Sequence, residues 1–262
     1  MEALLKVNDI SMVFGGLRAV SNFSMEIKAG ELIGLIGPNG AGKSTLFNAI
    51  TGAFFADKGL IMLDGEDITY QKEHVRSKVI GHLFQDPLKG TAPHMTIEEN
   101  MALAYLRTTT SKNAYFSRIK AADKKKFREQ LALLDMGLED RMKQPVGLLS
   151  GGQRQAITLL MASIQKPKLL LLDEHTAALD PKTAAKVLEI SDQIISENHL
   201  TAMMVTHNMK DAIAHGNRLI MMHEGRIIYD VRGEEKTKLE VSDLLQRFEQ
   251  AGGEANDRMI LS

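Results

Sequence analysis

The sequence predicts an α/β fold: a parallel sheet with helices, antiparallel strands near the start of the chain, and a helical insertion in its middle. Continuous apolar runs occur at residues 169–172 and 202–205, and a helical pattern follows each of them. Such runs are typical of strands that are buried on both faces of a parallel sheet. Strands that alternate with helices indicate the same sheet.

The first zone, residues 1 to about 70, is expected to contain short strands. The segments LLKVNDISMVF, NFSMEI and GLIMLDGEDI have the short alternations and turn residues of strands. Asp64-Gly65 is a hairpin-turn signal within this zone.

The second zone, residues 86 to about 165, is expected to be mainly helical and to form a subdomain inserted into the α/β core. Thr96 with Glu99 three residues later forms a capping box and predicts the start of one helix. A second helix is predicted over residues 121–136, because residues 127, 131 and 134 are apolar at helical spacing and Gly137 can end it.

Strand and helix alternate again over residues 166–232. Residues 1–232 are therefore predicted to form one domain that contains the insertion. Residues 233–262 are polar and are expected to form a tail that is helical around residues 239–248 and loose after them.

Composition argues against a nucleic-acid binder and excludes sites that need cysteine. The chain has 262 residues, with 32 Lys plus Arg against 33 Asp plus Glu, so the basic excess that nucleic-acid binders usually carry is missing. It has no Cys, which excludes disulfides and thiolate metal sites. We predict no signal peptide, and the apolar runs are far shorter than the roughly 18 residues of a membrane span. Any passage across a membrane would be formed by another chain.

Residues 37–45 read GPNGAGKST and match the phosphate-loop pattern G-x-x-x-x-G-K-[ST]. The glycines let consecutive backbone N–H groups approach phosphates, Lys43 offers a charge to the β- and γ-phosphates, and Ser44 can ligate Mg²⁺. An apolar strand precedes the loop and a helix follows it, which adds the positive end of a helix to the site. The residues predicted to bind the phosphates are Gly37, Pro38, Asn39, Gly40, Ala41, Gly42, Lys43, Ser44 and Thr45.

A second anion site is predicted where residues 149–153 read LSGGQ. Ser150 and Gln153 can cap the start of a helix, and Gly151 and Gly152 leave its N–H groups uncovered. With this segment the sequence closely resembles the ABC ATPases, over residues 4–232 and with all six expected motifs in order. The resemblance implies ATP and Mg²⁺ as cofactors. It also implies a head-to-tail dimer, taken here as a homodimer, in which this segment faces the γ-phosphate bound by the other subunit.

The resemblance further implies a phosphate-loop NTPase fold with a RecA-like parallel sheet core, an N-terminal antiparallel β subdomain and an inserted α-helical subdomain. It assigns Asp173 to Mg²⁺, Glu174 to the attacking water and His207 to the γ-phosphate. Asp173 and Glu174 end a predicted buried strand, where ligands of such sheets bind. His207 and Gln85 also follow predicted strands, and Gln85 is expected to meet Mg²⁺ or water.

Three further positions carry expectations. Phe14 matches the aromatic residue that stacks on adenine, with an ordinary core aromatic as the alternative. Asp180 matches the D-loop aspartate and can also cap a helix that has Pro181 at its first position. Position 175 is His where the family usually has Pro. We expect a local change of the loop there, and no loss of activity.

The resemblance predicts an ATPase subunit that dimerises around two ATP and drives a separate membrane permease from the cytoplasmic face of the membrane. The segments FGGLRAV and IGPNGAGKSTLFN look like those of branched-chain amino-acid and related importers. We therefore expect import of a small solute such as an amino acid, with an extracytoplasmic solute-binding protein as an indirect partner. Two alternatives stay open, an exporter motor for lipid or polysaccharide and a soluble ATPase of an iron–sulfur assembly scaffold.

Overall fold

The computed structural model describes residues 2–107 and 119–251, and it confirms the mixed α/β fold. Its strands, in chain order, are β1 (Ala3–Phe14), β2 (Leu17–Lys28), β3 (Leu32–Ile36), β4 (Lys58–Leu63), β5 (Glu66–Asp67), β6 (Ile80–Leu83), β7 (Leu169–Asp173), β8 (Ala202–Val205), β9 (Arg218–His223) and β10 (Arg226–Arg232). Its helices are α1 (Lys43–Thr51), α2 (Glu73–Arg76), α3 (Ile97–Leu106), α4 (Ala121–Ala132), α5 (Gly151–Ser163), α6 (Pro181–Glu197), α7 (Met209–Ala214), α8 (Glu234–Thr237) and α9 (Val241–Gln250).

The first sheet is antiparallel and has the strand order β2-β1-β4-β5. The predicted hairpin turn at Asp64-Gly65 joins β4 to β5. Both of its residues have positive φ, 52° and 79°, as a two-residue type I′ turn requires. The inward side chains of this sheet, such as Val7, Phe23 and Ile61, are buried.

The second sheet has the strand order β10-β9-β3-β8-β7-β6, and all of its pairs are parallel except that of β10 with β9. Residues 169–172 of β7 are 0% exposed, which confirms the burial predicted from their apolar run. Their side chains alternate between two apolar clusters. Leu169 and Leu171 pack with α1 and the antiparallel sheet, whereas Leu170 and Leu172 pack with α3 to α6.

The chain between β6 and β7 forms α3, α4, a 3-10 turn at Val146–Leu148 and α5. The capping box of Thr96 and Glu99 is present at the start of α3. The prediction that α4 extends to residue 136 is wrong, because α4 ends at Ala132 and Asp135 takes a left-handed φ of 51° before Gly137 is reached. One apolar cluster runs from these helices to the sheet, and the boundaries of an inserted subdomain stay a prediction.

Arg76 is a fully buried charged residue that joins α2 to the end of α1. Its guanidinium donates to the carbonyl oxygens of Ala49 (2.7 Å) and Ile50 (2.8 Å) in the last turn of α1. It also donates to the carbonyl oxygens of Thr69 (2.9 Å) and Gln71 (2.9 Å). A cation at the carboxyl end of a helix also stabilises that helix through its dipole.

The C-terminal segment packs against the sheet. Leu244 and Phe248 of α9 are buried in an apolar cluster with residues of β9, β10 and α7. Lys236 donates from Nζ to the carbonyl oxygens of Ile213 (2.6 Å) and His215 (3.0 Å) at the end of α7. The loose end predicted after the helix falls on residues 252–262, outside the described ranges. Among the described helices, none is long and apolar enough to cross a membrane.

Candidate functional site

The carboxyl ends of four neighbouring strands bring most of the predicted site residues to one edge of the sheet. The loop at residues 37–45 follows β3, and Gln85 follows β6. Asp173 ends β7 with Glu174 directly after it, and His207 follows β8. Ligands of open α/β sheets bind at this edge, so the strand order supports the predicted grouping.

The loop at residues 37–45 requires glycine for steric reasons. A Cβ on Gly37 would lie 2.3 Å from the carbonyl oxygen of Met222, and one on Gly42 would lie 2.4 Å from that of Ala19. Gly42 has a φ of 96° and precedes α1 without any side-chain cap. The first N–H groups of α1 are therefore left for another acceptor, which suits an anion such as phosphate.

Lys43 is buried beneath this loop. Its Nζ donates to the carbonyl oxygens of Gly37 (2.7 Å) and Pro38 (3.0 Å). An ammonium group has three donors, so one remains for a ligand. Burial lowers the pKa of Lys43, and the charges of Glu174 and Asp173 oppose that shift.

Asp173 and Glu174 have different environments although they are adjacent. Burial, together with the charge of Glu174, raises the pKa of Asp173 to about 6, while Lys43 and His207 oppose the shift. Burial also acts on Glu174, but its hydrogen bond with His207 and the charges of His207 and Lys43 hold its pKa below the ordinary value. Oε1 of Glu174 lies 2.6 Å from Nε2 of His207. Burial and the charge of Glu174 disfavour the ionised form of Asp173, and a bound cation would stabilise that form. This supports the prediction that Asp173 is a Mg²⁺ ligand.

We expect Asp173→Asn to stabilise the ligand-free protein. The pKa of Asp173 is about 6 in the folded state against 3.8 ordinarily, so the folded protein binds this proton more tightly than the unfolded chain. The wild type therefore loses stability as the pH rises from about 3.8 to about 6. The variant should have the higher melting temperature above pH ~6, by roughly 2–4 °C for each kcal/mol at this chain length, and the gain should vanish below pH ~4. Thermal unfolding of the variant and the wild type across this pH range measures the gain, and Glu249→Gln, at an exposed position, is the control. A melting temperature of Asp173→Asn below that of the wild type at high pH would contradict the prediction.

Gln85 and Phe14 are both accessible to a ligand. Gln85 is exposed two residues after β6. Phe14 ends β1 with 44% of its surface exposed, which argues against the alternative of a core aromatic. Its ring contacts Phe54 edge to face, with the centroids 5.6 Å apart.

The LSGGQ segment forms the N-terminus of α5. The backbone N–H of Gln153 donates to Ser150 Oγ at 3.3 Å, and that of Ser150 donates to Gln153 Oε1 at 3.3 Å, so the predicted capping box is present. Ser150 and Gly151 are exposed. A Cβ on Gly152 would lie 2.1 Å from Thr183 Cγ2, so α6 packs directly against this glycine.

The segment at residues 149–153 makes its hydrogen bonds with its own neighbours. Within the described part of the chain, none of these bonds reaches residues 37–45. Asp180 lies beside the segment at the start of α6, where its exposed side chain accepts from the N–H of Thr183 at 3.1 Å. Asp180 is thus a helix cap, and its side chain remains accessible.

Arg154 and Asn100, which no sequence pattern indicated, fix the loops next to this segment through hydrogen bonds. Arg154 donates to the carbonyl oxygens of Val146, Gly147 and Leu149 and so fixes the turn before Ser150. Asn100 is fully buried, and its side chain binds the backbone of residues 92, 95 and 96. Their partners are backbone groups, which leave no pattern in the sequence.

The turn before Ser150 is also joined to the loop that follows Gln85. The N–H of Gly147 donates to the carbonyl oxygen of Pro93 at 2.8 Å, and that of Val146 donates to that of Met95 at 3.0 Å. These two bonds connect the loop after β6 to the start of α5.

A phosphate loop after the parallel strand β3, with two acidic residues at the end of β7 in the same sheet, defines a phosphate-loop ATPase. Residues 20–177 match the family described as ABC transporter. The chain belongs to this family and is an ATPase subunit of the ABC transporter class.

Two relatives illustrate its place in the family. A tyrosine transport ATP-binding protein from Clostridioides difficile is 44% identical over 230 residues, which cover 88% of this chain and 90% of that protein. A sulfate/thiosulfate import ATP-binding protein from Shewanella oneidensis is 36% identical over 223 residues, which cover 85% of this chain and 60% of that protein.

Solved structures of ATP-binding cassettes are similar in fold to this chain. An ATP-binding cassette of an ABC transporter in its ADP conformation has a TM-score of 0.79 and 28% identity, with 97% of this chain and 100% of that chain covered. A dimeric ATP-binding cassette in a post-hydrolysis state bound to ADP and Pi has a TM-score of 0.74 and 26% identity, with 87% and 98% covered. They bear out the predicted fold class and the ATPase activity.

Proposed function

We propose that this chain is half of an ATP-driven clamp, in which two copies pair head to tail and enclose two ATP molecules. The observation that carries the proposal is the position of Ser150 and Gly151. They lie at the exposed N-terminus of α5, where the anion site is predicted, and among the described residues the hydrogen bonds of this segment do not reach residues 37–45. A second copy can supply this group to the phosphate loop of the first, and closed two-fold pairing is the commonest form of oligomer.

The residues of each half have distinct proposed roles. Lys43 and the loop N–H groups bind the phosphates, Phe14 stacks on adenine, and His207 contacts the γ-phosphate. Glu174 holds its carboxylate ready to orient the attacking water. Phosphoryl transfer depends mainly on such positioning and charge stabilisation.

Mg²⁺ would be held by Ser44, Asp173 and Gln85. When bound, it would supply positive charge that neutralises the phosphate oxygens. The raised pKa of Asp173, caused chiefly by burial, supports this assignment, because a cation would restore the ionised form.

We further propose that the clamp drives a separate membrane permease from the cytoplasmic face of the membrane. The exposed residues at the start of the loop after β6, Gln85, Asp86 and Leu88, offer a docking surface for it. A small solute such as an amino acid is the proposed cargo, and an extracytoplasmic binding protein would deliver it. The 44% identity to a tyrosine transport protein supports import of an amino acid.

Mixing two inactive variants tests the shared site. Lys43→Ala removes the phosphate-binding charge, and Gly151→Asp puts a negative charge on the second anion site. A Cβ at position 151 would lie 3.3 Å from Leu179 Cδ2, so the end of that flexible side chain must move by a few tenths of an ångström to admit it. If one site uses both copies, mixed dimers hold one intact site, about a quarter of all sites in an equal mixture. We expect ATPase activity in the mixture that neither variant shows alone.

A matched mixture of Lys43→Ala with Glu174→Gln is the control. Both changes lie in the same half of the site, so every site in that mixture is damaged and no activity should return. Absence of any gain in the first mixture, or an equal gain in the control, contradicts the shared site.

A further inference from the structure

Glu174 has a backbone conformation that L-residues rarely adopt. Its φ of 44° lies in the left-handed region, where Cβ crowds the neighbouring carbonyl group. The N–H of Glu174 donates to the carbonyl oxygen of Val205 at 3.0 Å, and its own carbonyl accepts from the N–H of Ala177 at 3.0 Å. Strained residues persist only where the surrounding structure holds them.

His175 is buried, with 3% of its surface exposed, and it reaches α6. Its Nε2 lies 3.1 Å from Oγ of Ser191. The Ser191 hydroxyl donates its only proton to the carbonyl oxygen of Val187 at 2.8 Å, so it can only accept from His175. This assigns the proton of the neutral imidazole to Nε2.

The part of α6 that receives His175 is itself fixed. Asp192, the next residue, lies 2.5 Å from Nδ1 of His215 at the end of α7. His207 precedes α7 by two residues and contacts Glu174. Thus α6 contacts His175, and the segment that leads into α7 contacts Glu174. Residues of α6, Glu174 and His207 line a cavity of about 910 Å³.

We propose that His175 is a positioning residue for hydrolysis. Its hydrogen bond to Ser191 ties the loop to α6, keeps Glu174 in the left-handed conformation and so holds the Glu174 carboxylate beside His207. The inference rests on the proposed role of Glu174. Proline, the residue that usually occupies this position in the family, has no side-chain donor, so a chain with proline there lacks this connection.

Ser191→Ala tests the proposal with little change of volume, and Ser163→Ala is its matched control. Ser163 is also a buried helical serine that donates to the carbonyl four residues earlier, at 2.9 Å, but it lies in α5 and accepts nothing from the loop. With the purified full-length chain, we expect Ser191→Ala to lower kcat for ATP roughly 10- to 100-fold while KM is unchanged. Ser163→Ala should leave kcat at the wild-type value.

Substitutions at position 175 test whether an N–H donor there is enough to restore kcat. His175→Leu should lower kcat as Ser191→Ala does, and the double variant should be no worse than either single variant because both remove one interaction. His175→Gln keeps an N–H donor of similar reach and should recover most of kcat. A kcat for His175→Gln as low as that for His175→Leu would count against the hydrogen bond.

The Glu174→Gln background separates this inference from the proposed function. If His175 acts through Glu174, Ser191→Ala should not lower the residual rate of Glu174→Gln any further. If Glu174→Gln hydrolyses ATP normally, the proposed role of Glu174 fails, and this inference fails with it. If Glu174→Gln is inactive and Ser191→Ala has the kcat of Ser163→Ala, only the positioning role is overturned. The same holds if Ser191→Ala lowers thermal stability without lowering kcat.

Discussion

Glu174→Gln is expected to reduce ATP hydrolysis about 100- to 1000-fold, because removal of one preorganised polar group at a reacting centre typically has this effect. Glutamine keeps the shape of the side chain. It can still contact His207, whose Nε2 lies 2.6 Å from Oε1 of Glu174 in the wild type. ATP binding depends on residues 37–45 and should stay at the wild-type level. The ATP-bound dimer should therefore accumulate. Turnover assays, nucleotide-binding titration and size-exclusion chromatography with ATP measure the three effects.

Glu189→Gln is the matched control. Glu189 lies on α6 at the wall of the same cavity, and among the described residues its exposed carboxylate pairs only with Lys186, at 3.4 Å. Exposed pairs of this kind contribute about 0.2–1 kcal/mol, so this variant should turn over ATP normally and form no trapped dimer. Normal turnover in Glu174→Gln would exclude the role proposed for Glu174.

Arg76→Met is expected to lower the free energy of unfolding by about 3 kcal/mol or more. The variant removes a donor group that serves four carbonyl oxygens, three of them through buried hydrogen bonds, and a hydrogen bond to a charged group is worth about 1.5–3 kcal/mol. Relief of the buried charge offsets part of the loss, since burial lowers the pKa of Arg76 to about 10 despite the opposing charge of Asp67. At this chain length the melting temperature should fall by roughly 6–12 °C.

Two further variants sharpen this measurement. Arg226→Met removes an exposed arginine of β10 and should change the melting temperature little. Arg76→Lys keeps the charge but loses the planar set of donors, so its stability should lie between those of the wild type and Arg76→Met. A melting temperature of Arg76→Met equal to that of Arg226→Met would show that the four bonds do not stabilise the fold.

The sequence was sufficient for the parts of the fold and site that depend on local patterns. The apolar run at residues 169–172 predicted a buried strand, and the capping residues Thr96, Ser150 and Asp180 predicted three helix starts, because each signal lies within a few neighbouring positions. The grouping of Gln85 with the residues after β7 and β8 followed from family resemblance, and the strand order supports it.

Other features could not be predicted, because backbone partners leave no pattern in the sequence or because the segments that meet are distant along the chain. Arg76 and Arg154 resemble surface charges in the sequence, and only the folded chain shows that they bind backbone carbonyls. His175 and Ser191 are 16 positions apart and meet through the packing of α6. The early end of α4 arises because Asp135 takes the left-handed turn before the more permissive Gly137 does.

In the proposed dimer, the two backbone hydrogen bonds between residues 93–95 and 146–147 would determine which ATP molecule a permease senses. A displacement of the loop after Gln85 would reach the start of α5 through these bonds, and in the proposed dimer that segment faces the nucleotide of the opposite copy. Each subunit would then report its own permease contact to its neighbour's ATP. Each docking loop would therefore act on the ATP site across the dimer, and damage to one docking loop should abolish hydrolysis in the other subunit.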